Sequence, residues 1–374
     1  MSNRAVVLRE FGELTGDDSV VGVEEWREPD GSDGEIVVDL LAADLQPLDR
    51  QIARGFLPGS GPLPMVAGVS AVGRTVGSGR TVVVLGELTG RGIGRDGLFA
   101  DRFAVEAHQV APVPPQLDPR AVAAGAVLGM HARHTLFEVA GARPGQNVLV
   151  LGATGGFGHA VVATAHSEGL NVIAAARRPD KVQAPAGVHV VGLDDLAGLA
   201  PAVKELTGGR GVDVIVDPLG GPVTGAAVRA GARACRHVLL GHTAGAEAVV
   251  PVPAMMLGEH RLLGVNGFLI TVSDQHAYLR EALGDMVAGH HRPLIGATHD
   301  LGEAAAAYAG ADGVDGRTLL IGTALGDAST AVDHPAQAAA PAPGRHDHHH
   351  GHGPGGHTHD HDHTHDHGDP GHTH

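Results

Sequence analysis

The chain has 374 residues, of which 42 are acidic, 26 are Lys or Arg and 27 are His, so its formal charge at pH 7 is −16. This negative charge argues against non-specific binding to nucleic acid or to an anionic membrane. The composition is 43% apolar, and no apolar run approaches about 18 residues, which predicts a globular, cytoplasmic protein of about two domains. The single cysteine, Cys235, excludes an intramolecular disulfide and any site that needs several thiolates.

The predicted elements fall into three groups along the chain. Residues 1–120 hold short β-runs separated by Gly and Pro, at 4–8, 35–41, 71–76, 81–85 and 101–105. From 121 to 265, apolar strands alternate with Ala-rich stretches of helical length, which predicts right-handed βαβ units and a parallel sheet. Those strands are 148–151, 172–175, 188–191, 212–216, 237–240 and 262–265. Residues 266–325 add a predicted helix at 275–288 and a last strand at 317–321.

Residues 326–374 differ from the rest of the chain in composition. A stretch of Ala and Pro leads into a tract of His, Asp, Gly and Thr without aliphatic side chains, which predicts a disordered tail. Neutral imidazoles alternating with Asp suit Zn²⁺, Ni²⁺, Co²⁺ or Cu²⁺, and binding is expected to fail below about pH 6 as the imidazoles protonate. The candidate ligands are His346, His348, His349, His350, His352, His357, His359, His361, His363, His365, His367, His372 and His374.

The sharpest motif is the segment 147–165, NVLVLGATGGFGHAVVATA. A hydrophobic strand runs into a glycine-rich turn, and an Ala-rich helix follows at once. Such a turn presents backbone N–H groups and the positive end of a helix to a pyrophosphate, although glycine-rich turns also arise for packing alone. The candidate cofactor-binding residues are Gly152, Ala153, Thr154, Gly155, Gly156, Phe157 and Gly158.

The second strand of this unit is predicted to end near Ala176, about twenty residues after the turn, where NAD-binding proteins place a carboxylate on the ribose 2′-hydroxyl. Here the strand tip lacks a carboxylate and the chain continues with Arg177, Arg178 and Lys181. Guanidinium groups suit the oxygens of a 2′-phosphate, so the pattern favours NADPH over NADH. A solvated basic loop is the alternative interpretation.

The order of segments, with residues 147–159 at its centre, resembles the medium-chain dehydrogenase/reductase superfamily, specifically its zinc-independent quinone oxidoreductase and enoyl reductase branch. Residues 34–49 (GEIVVDLLAADLQPLD) resemble the family's strand and Asn-Pro-x-Asp turn, and residues 97–105 (GLFADRFAV) resemble its Gly-x-x-Ala-Glu-Tyr strand. Residues 64–73, 211–221 and 315–320 are also similar to family segments.

The resemblance implies an α/β fold with two domains. Residues 1–120 with 266–325 would form a GroES-like β-rich domain, and residues 121–265 a Rossmann doubly wound parallel sheet. It also implies that Leu219, Gly241, Asn266 and Phe268 line the cofactor. Homodimers are common in this branch, so a homodimer is an expectation that rests on the resemblance alone.

Zinc-dependent members of the superfamily hold a catalytic zinc through Cys, a Gly-His-Glu segment and a further Cys or Asp. The matching positions here carry residues 44–46 (DLQ) and 68–70 (GVS), so no catalytic zinc is expected. The chemistry that remains is hydride delivery from NADPH to an already electrophilic carbon, as in quinones and α,β-unsaturated carbonyls. The expected partner is therefore a small electrophilic acceptor.

Gln46 and His131 are the candidate catalytic residues. Gln46 replaces the family's Asn near the nicotinamide, and it is equally consistent with an ordinary turn residue. His131 replaces the Thr of a Gly-x-Thr-Ala helix, where an imidazole can donate a hydrogen bond or a proton near neutral pH; a helix-surface His bonded to backbone is the alternative. Phe56, Phe99 and Phe268 are candidates for an apolar acceptor pocket or for ordinary core positions.

Two functions remain open from the sequence. The first is an NADPH-dependent reductase of quinones or α,β-unsaturated carbonyls with a metal-binding tail. The second is a metal-buffering or redox-sensing protein whose reductase fold binds NADPH with little turnover. The departures from the family at Gln46 and Ser70 keep this second function open.

Overall fold

A computed structural model describes residues 3–15, 19–86, 90–311 and 314–326. The predicted tail, including every candidate metal ligand within it, lies outside these described residues. The described strands are β1 (Asn3–Leu8), β2 (Val21–Trp26), β3 (Ile36–Leu45), β4 (Met65–Val66), β5 (Ala71–Thr75), β6 (Thr81–Val84), β7 (Arg102–Val105), β8 (Val110–Pro112), β9 (Asn147–Leu151), β10 (Asn171–Ala176), β11 (His189–Gly192), β12 (Val212–Asp217), β13 (Gly231–Leu239), β14 (Arg261–Gly264), β15 (Ile295–Asp300) and β16 (Arg317–Ile321). The described α-helices are α1 (Pro47–Ala53), α2 (Pro119–Arg133), α3 (Gly156–Ser167), α4 (Leu196–Leu206), α5 (Gly221–Val228), α6 (Val252–Gly258), α7 (Val272–Val287) and α8 (Ala304–Gly310).

A six-stranded parallel sheet forms the second part of the fold. Its spatial order is β11-β10-β9-β12-β13-β14, which is the doubly wound order with a switch point between β9 and β12. Most residues of β9 and β12 are fully buried, because helices cover both faces of a parallel sheet and its strands are almost continuously apolar. The predicted Rossmann-type sheet is confirmed.

Two further sheets form the β-rich part. One has the order β2-β1-β4, and the other has the path β15-β16-β3-β5-β6-β8 with β7 also paired to β3. Strand β16 pairs antiparallel with the end of β3, so the last described segment returns to the first part of the chain as predicted. The core between these sheets includes the fully buried Phe99 and Tyr308. The predicted domain boundaries at residues 120 and 265 stay predictions.

Several elements depart from the sequence-based expectations. Strands β2, β4, β8 and β15 and helix α8 were not predicted, since they are short or lack a long apolar run. Strand β13 begins at Gly231 rather than at residue 237, because its first half contains Arg233 and Arg236 and lacks a continuous apolar run. Helix α7 begins at Val272, capped by Thr271, whose hydroxyl accepts a hydrogen bond from the amide of Asp274 at 3.2 Å.

Helix α2 packs between the two parts of the fold. Glycines at positions 125 and 129 allow close approach: a Cβ at Gly125 would lie 2.1 Å from Pro293, and one at Gly129 would lie 2.9 Å from Ala282 of α7. At its end, the buried Arg133 forms ion pairs of 2.7–2.8 Å with Glu281 and Asp285 of α7 and with Glu168 after α3. In the described part of the chain, no helix is long and apolar enough to cross a membrane.

Candidate functional site

The glycine-rich turn lies at the carboxyl end of β9. Gly152 has a φ of +70°, and its carbonyl oxygen accepts a hydrogen bond from the Gly155 amide at 2.9 Å. A Cβ on Gly158 would lie 2.3 Å from that same oxygen, so glycine is required where α3 crosses the turn. Helix α3 then begins at Gly156 with its amino end at this edge of the sheet. The turn therefore fits a pyrophosphate, which helix N-termini with nearby glycines bind.

The other residues of the turn contact β10, the core beneath the sheet and the loop after β12. Ala153 is buried and donates its amide hydrogen to Ala175 of β10 at 3.0 Å. Thr154 is half-buried, while Phe157 is half-buried and packs against the core beneath the sheet. Leu219, which follows β12, packs against Gly152, with its Cδ2 atom 3.0 Å from where a Cβ would be. Gly152 and Leu219, two predicted cofactor-binding residues on either side of the switch point, are therefore in contact.

Asp217 holds the loop that follows β12. Its Oδ1 atom accepts hydrogen bonds from the amides of Leu219 and Gly220 at 2.9 and 3.0 Å, and its Oδ2 atom accepts from Thr224 and His237 at 2.6 and 3.0 Å. Burial opposes ionisation of this carboxyl group, yet the hydrogen bonds outweigh burial and hold its pKa below the usual value. Asp217 is therefore a structural carboxylate that positions Leu219.

The basic residues predicted for a 2′-phosphate follow β10 directly. Arg177, Arg178 and Lys181 are all exposed at the tip of this strand, next to the glycine turn. Arg178 is not a free cation, since its guanidinium forms an ion pair with Asp315. The sequence had suggested a strand tip without a carboxylate, and the fold supplies one from a distant segment.

A small cavity of about 30 Å³ lies beside α2. Its apolar lining comes from the side chains of Val69, Val127, Met130 and Phe268, with the backbone of Gly86 and Gly267. Its polar lining is Gln46, Ser70, His131 and Gln275. The half-buried side chain of Phe268 forms part of the boundary of this cavity.

The polar groups of this cavity are oriented by hydrogen bonds. The Gln46 side-chain amide donates to Ser70 Oγ at 2.8 Å, which leaves the Ser70 hydroxyl hydrogen free to point elsewhere. Ser70 itself is 5% exposed. The Gln275 amide donates to the carbonyl of Ile270 at 3.0 Å, which fixes the start of α7 against the loop that carries Phe268. Ser70 was not selected from the sequence because its partner is 24 residues away.

His131 lies against the same cavity, with Nε2 2.9 Å from where a Cβ on Gly267 would be. Burial, together with repulsion from His134, lowers the pKa of His131 to about 4. The imidazole is therefore neutral at pH 7 and can donate one hydrogen bond, but its protonated form is scarce there. Helix α2 ends at Arg133, and residues 134–139 continue it as a π-helix.

The cavity and the glycine turn are joined by two elements. Helix α2 contributes Val127, Met130 and His131 to the cavity, while Leu128 lies 3.1 Å from where a Cβ on Gly156 would be. Arg317 also contacts Gly156, and its guanidinium makes a buried bidentate ion pair with Asp44, at 2.7 Å for both bonds, just before Gln46. Helix α2 would thus lie against both a pyrophosphate at the turn and an acceptor in the cavity.

Comparisons with known proteins agree with this arrangement. A family described as "Zinc-binding dehydrogenase" matches residues 156–283. A quinone oxidoreductase of Rattus norvegicus is 27% identical over 279 residues, 73% of this chain and 84% of that protein. A crystal structure of a probable oxidoreductase from Mycobacterium abscessus has a TM-score of 0.69 and 29% identity, covering 86% of this chain and all of the other. These findings bear out the resemblance of the chain to the medium-chain dehydrogenase/reductase superfamily.

Other relatives match shorter stretches. A 2-haloacrylate reductase of Burkholderia sp is 33% identical over 166 residues, 43% of this chain and half of that protein. The chain also matches a phenolphthiocerol/phthiocerol polyketide synthase subunit of Mycobacterium tuberculosis and a phthioceranic/hydroxyphthioceranic acid synthase of Mycobacterium bovis, and it spans about a tenth of the length of each. The superfamily implies a nicotinamide cofactor, and the glycine turn described above fits one.

The remaining predicted residues have mixed outcomes. Gly241 lies against the backbone of Pro218, where a Cβ would approach the carbonyl oxygen to 2.3 Å. Asn266 is exposed and accepts a hydrogen bond from the Phe268 amide, so it caps a turn. Of the three phenylalanines proposed for an acceptor pocket, Phe268 alone lines the cavity. Phe56 is 72% exposed and does not line this cavity, and Phe99 is fully buried against Gly68, as the alternative of an ordinary core position predicts.

The positions that carry zinc ligands in zinc-dependent members of the superfamily have other partners here. Asp44 pairs with Arg317, Gln46 bonds to Ser70, and Val69 donates its amide hydrogen to Asp49 at 3.1 Å. Within residues 3–326, apart from the gaps given above, no group of three or more His, Cys, Asp or Glu side chains is arranged to hold a metal ion. The candidate metal ligands from His346 to His374 lie outside the described residues.

Proposed function

We propose that the chain is an oxidoreductase that reduces quinones or α,β-unsaturated carbonyls with NADPH. The observation that carries this proposal is the small cavity, which is largely apolar and holds a few oriented donors. Helix α2 lies against both this cavity and the glycine turn. The relatives named quinone oxidoreductase and 2-haloacrylate reductase support the class of acceptor. The basic residues after β10 support the choice of NADPH.

The residues that would hold the coenzyme are those of the turn, with Leu219 on the far side of the switch point and Arg177, Arg178 and Lys181 at the adenosine end. When bound, a reduced nicotinamide supplies a hydride to an electron-poor carbon. The chain's own contribution is to exclude water from the cavity, to orient the acceptor and to stabilise the negative charge that develops on the acceptor oxygen.

Ser70 is the donor that we assign to that oxygen. Its Oγ atom accepts from Gln46, so its O–H is directed away from the amide and is available to an acceptor in the cavity. The neutral imidazole of His131 is a second donor at the same cavity. Ser70 keeps its proton, because it stabilises charge by hydrogen bonding and does not act as an acid. Gln46 is a positioning residue that acts through Ser70.

The test is an NADPH-oxidation screen with quinones, enones and enoyl thioesters, followed by kinetics of Ser70→Ala and Ser70→Thr. Loss of one donor to a developing oxyanion costs about 100-fold in kcat. Ser70→Ala is expected to show such a loss with an unchanged dissociation constant for NADPH, and Ser70→Thr is expected to recover part of it.

Ser60→Ala is the matched control, since the Ser60 hydroxyl donates to Leu57 at the edge of an exposed loop. Wild-type turnover in Ser70→Ala would remove the role of this hydroxyl. A purified chain that binds no nicotinamide coenzyme would overturn the proposed function as a whole.

The tail supports a second, separable property. We propose that the alternating His and Asp of residues 346–374 bind divalent transition metals, on the strength of their composition. Zinc titration of the full chain and of a chain ending at residue 326 tests this, with binding expected for the full chain at pH 7.5 and lost at pH 5. If NADPH affinity changed with metal while turnover were absent in both forms, the metal-buffering or redox-sensing function would replace the reductase.

A further inference from the structure

The segment at residues 314–317 crosses the glycine turn. Gly155 and Gly316 form an isolated parallel β-bridge, and Gly316 adopts a φ of +92° that favours glycine. The next residue, Arg317, lies against Gly156, with Cδ 2.3 Å from where a Cβ would be. Two neighbouring contacts therefore hold this segment on the amino end of α3, next to the tip of β10.

This placement brings Asp315 to the basic residues after β10. Its carboxylate forms an ion pair with the Arg178 guanidinium, although 137 residues separate them in sequence. The two side chains are 41% and 52% exposed, so the pair can open to solvent. Arg177 and Lys181 are exposed cations that follow the same strand.

A carboxylate at this point has opposite effects on the two nicotinamide coenzymes. A 2′-phosphate carries about two negative charges and needs the same guanidinium, so it has to displace Asp315 from Arg178. A free ribose 2′-hydroxyl instead can donate a hydrogen bond to a carboxylate, as acidic residues at the tip of this strand do in NAD-binding folds.

We infer that Asp315 sets the coenzyme preference by competing with the 2′-phosphate for Arg178. This inference rests on the proposed function, since it concerns the same coenzyme site. Competition from Asp315 makes the preference for NADPH over NADH smaller than the basic residues alone would give. It also identifies a specificity residue that lies outside the nucleotide-binding sheet.

The experiment measures dissociation constants for NADPH and NADH by calorimetry on the full chain, for wild type, Asp315→Asn, Arg178→Ala and the double variant. Release of Arg178 from an exposed ion pair, which the phosphate would otherwise have to break, changes NADPH affinity by about fivefold. Asp315→Asn is expected to tighten NADPH by about that factor and to leave NADH unchanged or weaker. In the Arg178→Ala background the gain is expected to disappear.

Glu259→Gln is the matched control, because Glu259 forms a similarly exposed ion pair with Arg233 at the opposite edge of the sheet. An unchanged ratio of the two dissociation constants in Asp315→Asn, with both coenzymes still bound, would overturn the inference and leave the proposed function standing. Weaker NADPH binding in Asp315→Asn would overturn it in the same way. Absence of binding of either coenzyme to every form would overturn both.

Discussion

Two neutral imidazoles are buried together where α3 meets the loop after α7. The ring centroids of His159 and His291 are 5.8 Å apart, and His159 Nε2 lies 2.9 Å from the carbonyl oxygen of Arg292. The Nδ1 atom of His291 is buried and has no hydrogen-bond partner among the described residues. Burial, with repulsion from His159, lowers the pKa of His291 to about 3. We therefore predict that protonation of His291 opposes folding.

The sign and size of this effect on the free energy of unfolding follow from the linkage between proton binding and folding. An unfolded histidine binds its proton near pH 6.5 and folded His291 does so only near 3, so the unfolded state gains stability as the pH falls below about 6.5. Between pH 7 and pH 5 this costs about 2 kcal/mol of the free energy of unfolding. Asp49 acts in the opposite direction, because burial raises its pKa to about 7 and the folded state takes up its proton in the same interval.

A comparison of variants isolates His291 from Asp49 and from every other titrating group. Urea unfolding at pH 7 and pH 5 is expected to show that stability changes differently in wild type and in His291→Leu. The acid-induced loss should be about 2 kcal/mol smaller in the variant, whatever its stability at pH 7. His189→Leu, at an exposed position of β11, is the control and should keep the wild-type difference. Equal pH dependence in wild type and His291→Leu would refute the reasoning.

Three further predictions concern other parts of the fold. Gly158→Ala forces a Cβ toward the Gly152 carbonyl, so NADPH binding measured by calorimetry should be lost while circular dichroism still reports a folded chain. Because the pKa of His131 is about 4, kcat should show no inflection from this group between pH 6 and pH 8, and His131→Gln should leave the shape of that profile unchanged. Helix α6 exposes Met256 and Leu257, at 70% and 83%, beside the edge strand β14, so we propose that a second copy of the chain covers this face. Leu257→Asp should therefore halve the mass measured by light scattering. A wild-type chain that is monomeric in the same measurement would contradict this.

The fold could be predicted from the sequence where local patterns decide it. The apolar strands between residues 147 and 265 and the glycine turn follow from strand length, side-chain type and the glycines at 152–158. Short pieces such as β4 and β15 could not be found, because they exist only through pairing with distant strands.

The site divides in the same way. The candidates Gln46, His131 and Phe268 lie at one cavity in the structure. The hydroxyl of Ser70 and the carboxylate of Asp315 were missed, because each gains its meaning from a partner far along the chain. Local sequence shows which side chains are present at a strand tip, but not which charge the rest of the fold brings to it.

Helix α2 has one side against the coenzyme turn, at Leu128, and lines the acceptor cavity with Val127 and Met130. Under the proposed function, substitutions at these positions are expected to change coenzyme and acceptor binding together. The loop that carries Phe268 faces the cavity without contacting the turn's glycines. Under the proposed function, a library randomised at residues 267–269 is therefore expected to change acceptor selectivity while coenzyme binding is kept.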